Sequence, residues 1–175
     1  MPNTSANGPS AVVACIGLGG NVGDAAGALV RAFDALAQLP GTHLLRRSQL
    51  YRTPAWGRAD QPNFVNAAAV VSTVLSAAHL LEALLGIERG AGRDRANNLP
   101  RWSPRTLDLD LLLYGESVIA QPGLHVPHPH LHERAFVLVP LAEIAADACV
   151  PGHGRVGALR EAIDASGIFP LTAGA

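Results

Sequence analysis

Apolar and polar positions along the chain repeat at two periods, and the changes between them outline the fold. A β-prone run over 11–18 ends in Gly17-Leu18-Gly19-Gly20-Asn21, which predicts a strand and a tight turn ahead of a helix capped by Asp24. Leu29, Val30, Phe33, Leu36 and Ala37 form the apolar stripe of that helix, and Pro40-Gly41 stops it near Leu39. Residues 43–52 read as a strand near a sheet edge. A loop rich in proline and glycine follows over 53–62, then a strand over 64–73 that sets Phe64 and Asn66 on one face. Ser76 caps a second helix with Leu80, Leu81, Leu84 and Ile87 inward, ending near Arg89. Glu88 stands at its C-terminal end, where the helix dipole disfavours a carboxylate, so solvent screening is expected. Residues 90–103 lack an apolar period and read as a flap carrying Arg93, Arg95 and Trp102. A strand over 107–113 turns at 114–116 into a short partner at 117–120. Residues 136–146 are apolar and helical in part, and 156–165 form a last amphipathic helix.

Strand, helix, strand, strand, helix, strand is two split β-α-β halves. That order predicts an α+β fold, a two-layer α/β sandwich with a ferredoxin-like βαββαβ core, an antiparallel sheet and additional C-terminal helices. One domain over 11–166 is expected, between loose tails at 1–10 and 167–175.

The strand over 107–113 carries the chemistry. Leu107, Leu109, Leu111 and Leu113 share one face, which leaves Asp108 and Asp110 together on the other, about 6.5–7 Å apart along the strand. Two neighbouring carboxylates repel until a proton, an arginine or a cation relieves them. Hard divalent cations prefer oxygen ligands and keep positions open for phosphates, and Arg105 stands just upstream with Arg93, Arg95 and Arg101 before it. Acids with guanidinium groups suit phosphoryl transfer; the competing role for such a pair is a structural cap or ion pair.

Composition narrows the choice. Charged residues make up 15% and apolar residues 49% with a net charge of −1, which fits a soluble globule and argues against broad electrostatic binding to nucleic acid. No apolar run reaches the roughly 18–20 residues of a membrane span, and the first ten residues lack an export pattern, so a cytoplasmic setting with Cys15 and Cys149 reduced is expected. All 13 basic residues are arginine, which excludes a lysine-bearing phosphate loop and Schiff-base chemistry. His125, His128, His130 and His132 invite a zinc reading. Pro127 and Pro129 impose an irregular backbone on which those rings diverge, so surface or single-contact roles are expected.

The run Arg-Trp-Ser-Pro-Arg-Thr-Leu-Asp-Leu-Asp-Leu-Leu at 101–112 resembles the signature of 6-hydroxymethyl-7,8-dihydropterin pyrophosphokinases, folate-pathway enzymes. Gly-Leu-Gly-Gly-Asn at 17–21, Tyr-Arg-Thr-Pro at 51–54, Gln-Pro-Asn-Phe-Val-Asn-Ala at 61–67, Ile-Glu at 87–88, Val-Pro-His at 126–128 and Glu-Arg-Ala-Phe at 133–136 are similar to that family in the same order. The resemblance implies transfer of pyrophosphate from ATP to a pterin alcohol, with Asp108 and Asp110 as ligands of two Mg2+ ions and with Arg95 and Arg105 catalytic. It implies a pterin site of Thr53, Pro54, Trp56, Phe64, Asn66, Trp102 and Phe136, and ATP contacts from Glu88, Arg93, Arg95, Trp102, Arg105, His128 and Arg134. The partners it implies are small molecules, ATP and the pterin, bound by a monomer. Ser103, Gly20, Pro129 and a longer 96–101 loop depart from the family pattern. Two rival readings share the fold: a small-molecule sensor with a structural acid pair, and a metal-dependent phosphoester hydrolase.

Overall fold

The computed structural model describes residues 10–55, 61–92 and 105–172 of the chain. Its centre is β1 (Val12–Gly20), paired antiparallel with β4 (Phe64–Thr73) on one side and with β5 (Asp108–Tyr114) on the other. β2 (Thr42–Arg47) and β3 (Tyr51–Thr53) both pair with the outer side of β4. Helix α1 (Ala25–Ala37) joins β1 to β2, and α2 (Ala77–Gly90) joins β4 to β5. The order β5-β1-β4-β2 is that of the expected ferredoxin-like core.

Side-chain parity divides the sheet into two buried faces. Ala14, Ile16 and Leu18 of β1, Ala67, Ala69 and Val71 of β4, and Leu107, Leu109 and Leu111 pack against α1 and α2. Cys15, Ala68 and Val70 point the other way, onto α3 (Ala135–Ala145) and α4 (Val156–Ala162). The additional C-terminal helices therefore build a partial third layer, and it covers only part of its face.

Several local expectations change. Val30 is 43% exposed and Ala37 is exposed, so α1 buries Ala25, Ala28, Leu29, Ala32, Phe33 and Leu36 instead. The glycine run is strand and not turn, because β1 continues through Gly20. Leu113 does not share the face of the other three leucines: the β1–β5 register shifts between Cys15 and Ile16, which makes Leu112 a bulge and turns Leu113 over to pair with Cys15. The strand expected over 43–52 breaks at Ser48, whose N donates to Ala68 O at 2.9 Å. Its Oγ accepts from Ala68 N at 2.9 Å, so a side chain takes a backbone place in the ladder.

The partner strand expected over 117–120 is instead β6 (Ile119–Gln121), which pairs with β7 (Leu124–Val126) away from the main sheet. A short 3-10 turn at Leu131–Glu133 leads into α3, and a small hairpin of β8 (Cys149–Val150) and β9 (Gly154–Arg155) leads into α4. Residues expected to fray beyond 167 lay down β10 (Phe169–Pro170) beside β3, and Leu171 N donates to Leu50 O at 2.7 Å. No helix among the described residues is long and apolar enough to cross a membrane.

Glu88 is 0% exposed, so screening is not its situation. β5 lies at the end of the sheet, and Glu88 Oε1 accepts from Leu109 N at 2.8 Å, serving an amide that turns away from β1. A buried amide without an acceptor costs about 1–3 kcal/mol, and truncating a buried side chain adds a cavity cost. Glu88→Ala is expected to lower unfolding free energy by about 2–4 kcal/mol in urea titrations; a change within 0.5 kcal/mol, the range of ordinary surface substitutions, would show that the contact holds nothing.

Candidate active site

The uncovered half of the second face holds a cavity of about 250 Å³ between the sheet and the N-terminal end of α3. Its floor is set by pairing. Asp110 stands opposite Gly17, and Asp108 opposite Gly19, so the acids have no side chain across the ladder to cover them. Asn66 also pairs with Gly19, from the β4 side. A Cβ on Gly19 would lie 2.6 Å from Asn66 Oδ1, so glycine is what lets the amide lie across β1. Gly20 meets a similar limit, since its Cβ would lie 2.5 Å from Thr106 O.

Around this floor the chain gathers most of the expected residues. Thr53, Pro54, Phe64, Asn66, Arg105, Asp108, Asp110, His128, Arg134 and Phe136 all line the cavity. Asn66 Nδ2 donates to Thr53 Oγ1 at 2.7 Å, fixing both groups in the wall formed by β3 and β4. The Arg134 guanidinium carbon lies 5.7 Å from the centre of the Phe136 ring, a cation–π contact at the start of α3. Glu88 does not line this cavity, because it is spent on the Leu109 amide. Trp56, Arg93, Arg95 and Trp102, with the expected flap, lie outside the described residues.

The acids are not equivalent. Arg105 Nη1 donates to Asp108 Oδ2 at 2.7 Å, so the ion pair weighed as a structural role is made at Asp108. Among the described residues Asp110 has no such short pairing; burial, followed by the charge of Asp108, pushes its carboxyl up to about 7, with Arg134 and Arg105 pulling the other way. His128 moves in the opposite direction. Burial, then Arg134 and His130, hold its imidazole down at about 4 against the pull of Asp108, so it is neutral near pH 7. Its backbone N donates to the Leu112 carbonyl at 2.9 Å, which docks the histidine segment on the bulge.

The other histidines do diverge. His128 and His130 rings are 6.4 Å apart and tilted by 58°, while His132 stacks on His153 at 3.7 Å. Among the described residues no three His, Cys, Asp or Glu side chains converge on a metal position. The acid pair would hold a cation only with water or ligand oxygens completing its shell, as magnesium accepts.

Two features were missed from the sequence. Asn21 holds Arg105 from both sides, its N donating to Arg105 O at 2.9 Å and its Oδ1 accepting from Arg105 N at 3.0 Å. The only signal for it was an asparagine closing the glycine run. Beyond β5, a second groove of about 260 Å³ is lined by Leu81, Leu85, Leu111, Leu124, His125 and Pro129, and it shares Asp110 and His128 with the first. It depends on where α2 and β7 pack beside β5, which periodicity does not reveal.

Comparison with known proteins places the chain in a family. Residues 15–146 match the family model of 7,8-dihydro-6-hydroxymethylpterin-pyrophosphokinase. The chain is 46% identical over 155 residues to the 2-amino-4-hydroxy-6-hydroxymethyldihydropteridine pyrophosphokinase of Methylorubrum extorquens, covering 89% of this chain and 96% of that one. With the protein of the same description from Pseudomonas aeruginosa the identity is 44%, covering 89% and 94%. The crystal structure of a Plasmodium falciparum HPPK-DHPS triple mutant superposes with a TM-score of 0.71 at 14% identity; 89% of this chain aligns with 45% of that longer one, a likeness of fold. The chain belongs to the 7,8-dihydro-6-hydroxymethylpterin-pyrophosphokinase family.

Proposed function

We propose that this chain carries out its family's reaction in the cleft beside β5, with Asp108 and Asp110 holding two magnesium ions. The reaction moves the pyrophosphoryl group of ATP to the hydroxymethyl group of 6-hydroxymethyl-7,8-dihydropterin, in folate biosynthesis, and leaves AMP. The observation that carries the metal assignment is the acid pair itself: two carboxylates above a glycine floor, one matched by a guanidinium and the other pushed up to about 7 by burial and by its neighbour Asp108. Arg105 then stands in for positive charge at Asp108 and is placed to turn to phosphate oxygens.

Phe64 and Phe136 offer aromatic faces to a flat ring, and Asn66 with Thr53 and Pro54 offers polar groups to its edge. The second groove has apolar walls from Leu81, Leu85 and Leu111 and would take the adenosine end. Asp110 and His128 line both cavities, so the triphosphate would cross from one to the other at the acids. Arg134 adds a cation on the cleft side, and the loop with Arg93, Arg95 and Trp102 would close over the reactants. The hydroxymethyl oxygen attacks the β-phosphorus in line and AMP departs. When bound, magnesium supplies charge neutralisation along the triphosphate. The chain supplies alignment, an effect that can reach about 7–11 kcal/mol for well-placed reactants. The chain is read as a cytoplasmic monomer that acts on small molecules, apart from nucleic acid and membrane.

Incubation with ATP, magnesium and the pterin alcohol is expected to release AMP; ADP would indicate an ordinary kinase, and nucleotide loss without the alcohol a hydrolase. Asp110→Ala is expected to abolish turnover yet keep a wild-type circular dichroism spectrum and thermal midpoint, since it relieves a repulsion; full activity would overturn the metal role. Protons and metal should compete at Asp110. Its carboxyl passes from mostly protonated to mostly ionised between pH 6 and pH 8, so magnesium affinity by calorimetry should tighten about tenfold across that interval. A flat response would remove Asp110 from the ligand set.

A further inference from the structure

The two walls of the cleft belong to separate parts of the fold. Thr53 and Pro54 come from β3 and the residue after it, whereas Phe136 and Val137 come from the first turn of α3. One carboxylate joins them. Glu143, two turns along α3 from Phe136, accepts from the hydroxyl of Tyr51 at 2.7 Å through Oε2 and from the Gln49 amide at 3.2 Å through both oxygens. Tyr51 and Thr53 lie on the same face of β3, opposite Asn66 and Phe64. Glu143 is itself exposed and does not line the cavity, so it touches neither reactant.

We propose that Glu143 is a positioning residue: its clamp on Tyr51 and Gln49 fixes the spacing between the Thr53 wall and the Phe136 wall, and so the fit of the pterin ring. The inference rests on the pterin reading of this cleft. It deepens that reading by assigning specificity to a side chain outside the site. Two features favour a spacer over a simple packing contact. The Tyr51 phenol donates to a carboxylate at 2.7 Å, and burial, then the hydrogen bond and charge of Glu143, push it up to about 12. In addition, β3 spans only three residues: β4 and β10 hold it within the sheet, and Glu143 holds its first residue, Tyr51, and the preceding Gln49 to α3.

Pterin and ATP affinities should be measured by calorimetry for wild type, Glu143→Ala, Glu143→Gln and Tyr51→Phe. Wild type that binds no pterin would overturn the reading of the cleft and this proposal together. If wild type binds pterin, Glu143→Ala should weaken pterin about tenfold and ATP less than twofold, Tyr51→Phe should match it, and Glu143→Gln, which keeps an acceptor, should recover most of the loss. Unchanged pterin affinity in Glu143→Ala, or parallel losses for pterin and ATP, would overturn the positioning role while leaving the cleft assignment intact.

Discussion

The registration of β5 against β1 is the constraint on which the site depends. Leu107, Leu109 and Leu111 are each nearly fully buried under α1 and α2, and burying a leucine contributes about 1.5–3 kcal/mol. That apolar grip keeps two mutually repelling carboxylates side by side on the opposite face. A slip of one residue would send the acids into the core and the leucines into the cleft. The bulge at Leu112 ends this phase where the acids end, so Leu112 and Leu113 return to the second core under α3. One strand thereby serves the helix layer, the cleft and the C-terminal layer in turn.

Charge in the cleft is arranged unequally around that strand. Arg105 is held by Asn21 on its backbone and reaches Asp108 with its side chain, while Asp110 sits closer to neutrality beside a neutral His128. Glu88 adds negative charge near Asp110 yet is committed to a backbone amide at the sheet margin. Among the described residues the compensation at Asp110 comes from arginine alone, Arg134 and Arg105, in a chain without lysine.

Much of this was legible in the sequence because it depends on local periods. The β4 range, the Asp24 and Ser76 caps and the pairing of Phe64 with Asn66 on one face follow from spacing and side-chain chemistry alone. The ordered motifs pointed to the family. What stayed hidden depends on partners distant in the chain. Leu113 changes face because β1 forces a bulge, 43–52 breaks because Ser48 replaces a backbone group toward Ala68, and Glu88 is buried because β5 leaves Leu109 in need of an acceptor. The glycine run read as a turn since glycine weakens strands; its role in the strand appears only once Asn66 and Thr106 are seen to press against it.

The outer margin of the sheet is finished in two ways. Along β3 the segment Phe169–Pro170 lies down as β10, so that stretch is already paired. Along β2 nothing in the described fold covers the margin, and a half-exposed Leu45 would invite edge-to-edge association. That stretch carries a register shift between Leu44 and Arg46 and two exposed arginines, Arg46 and Arg47, which are the usual deterrents to a visiting strand. Resistance to aggregation on this side of the molecule is therefore shared between a covalent tail and like-charge repulsion, and the second share weakens as salt rises.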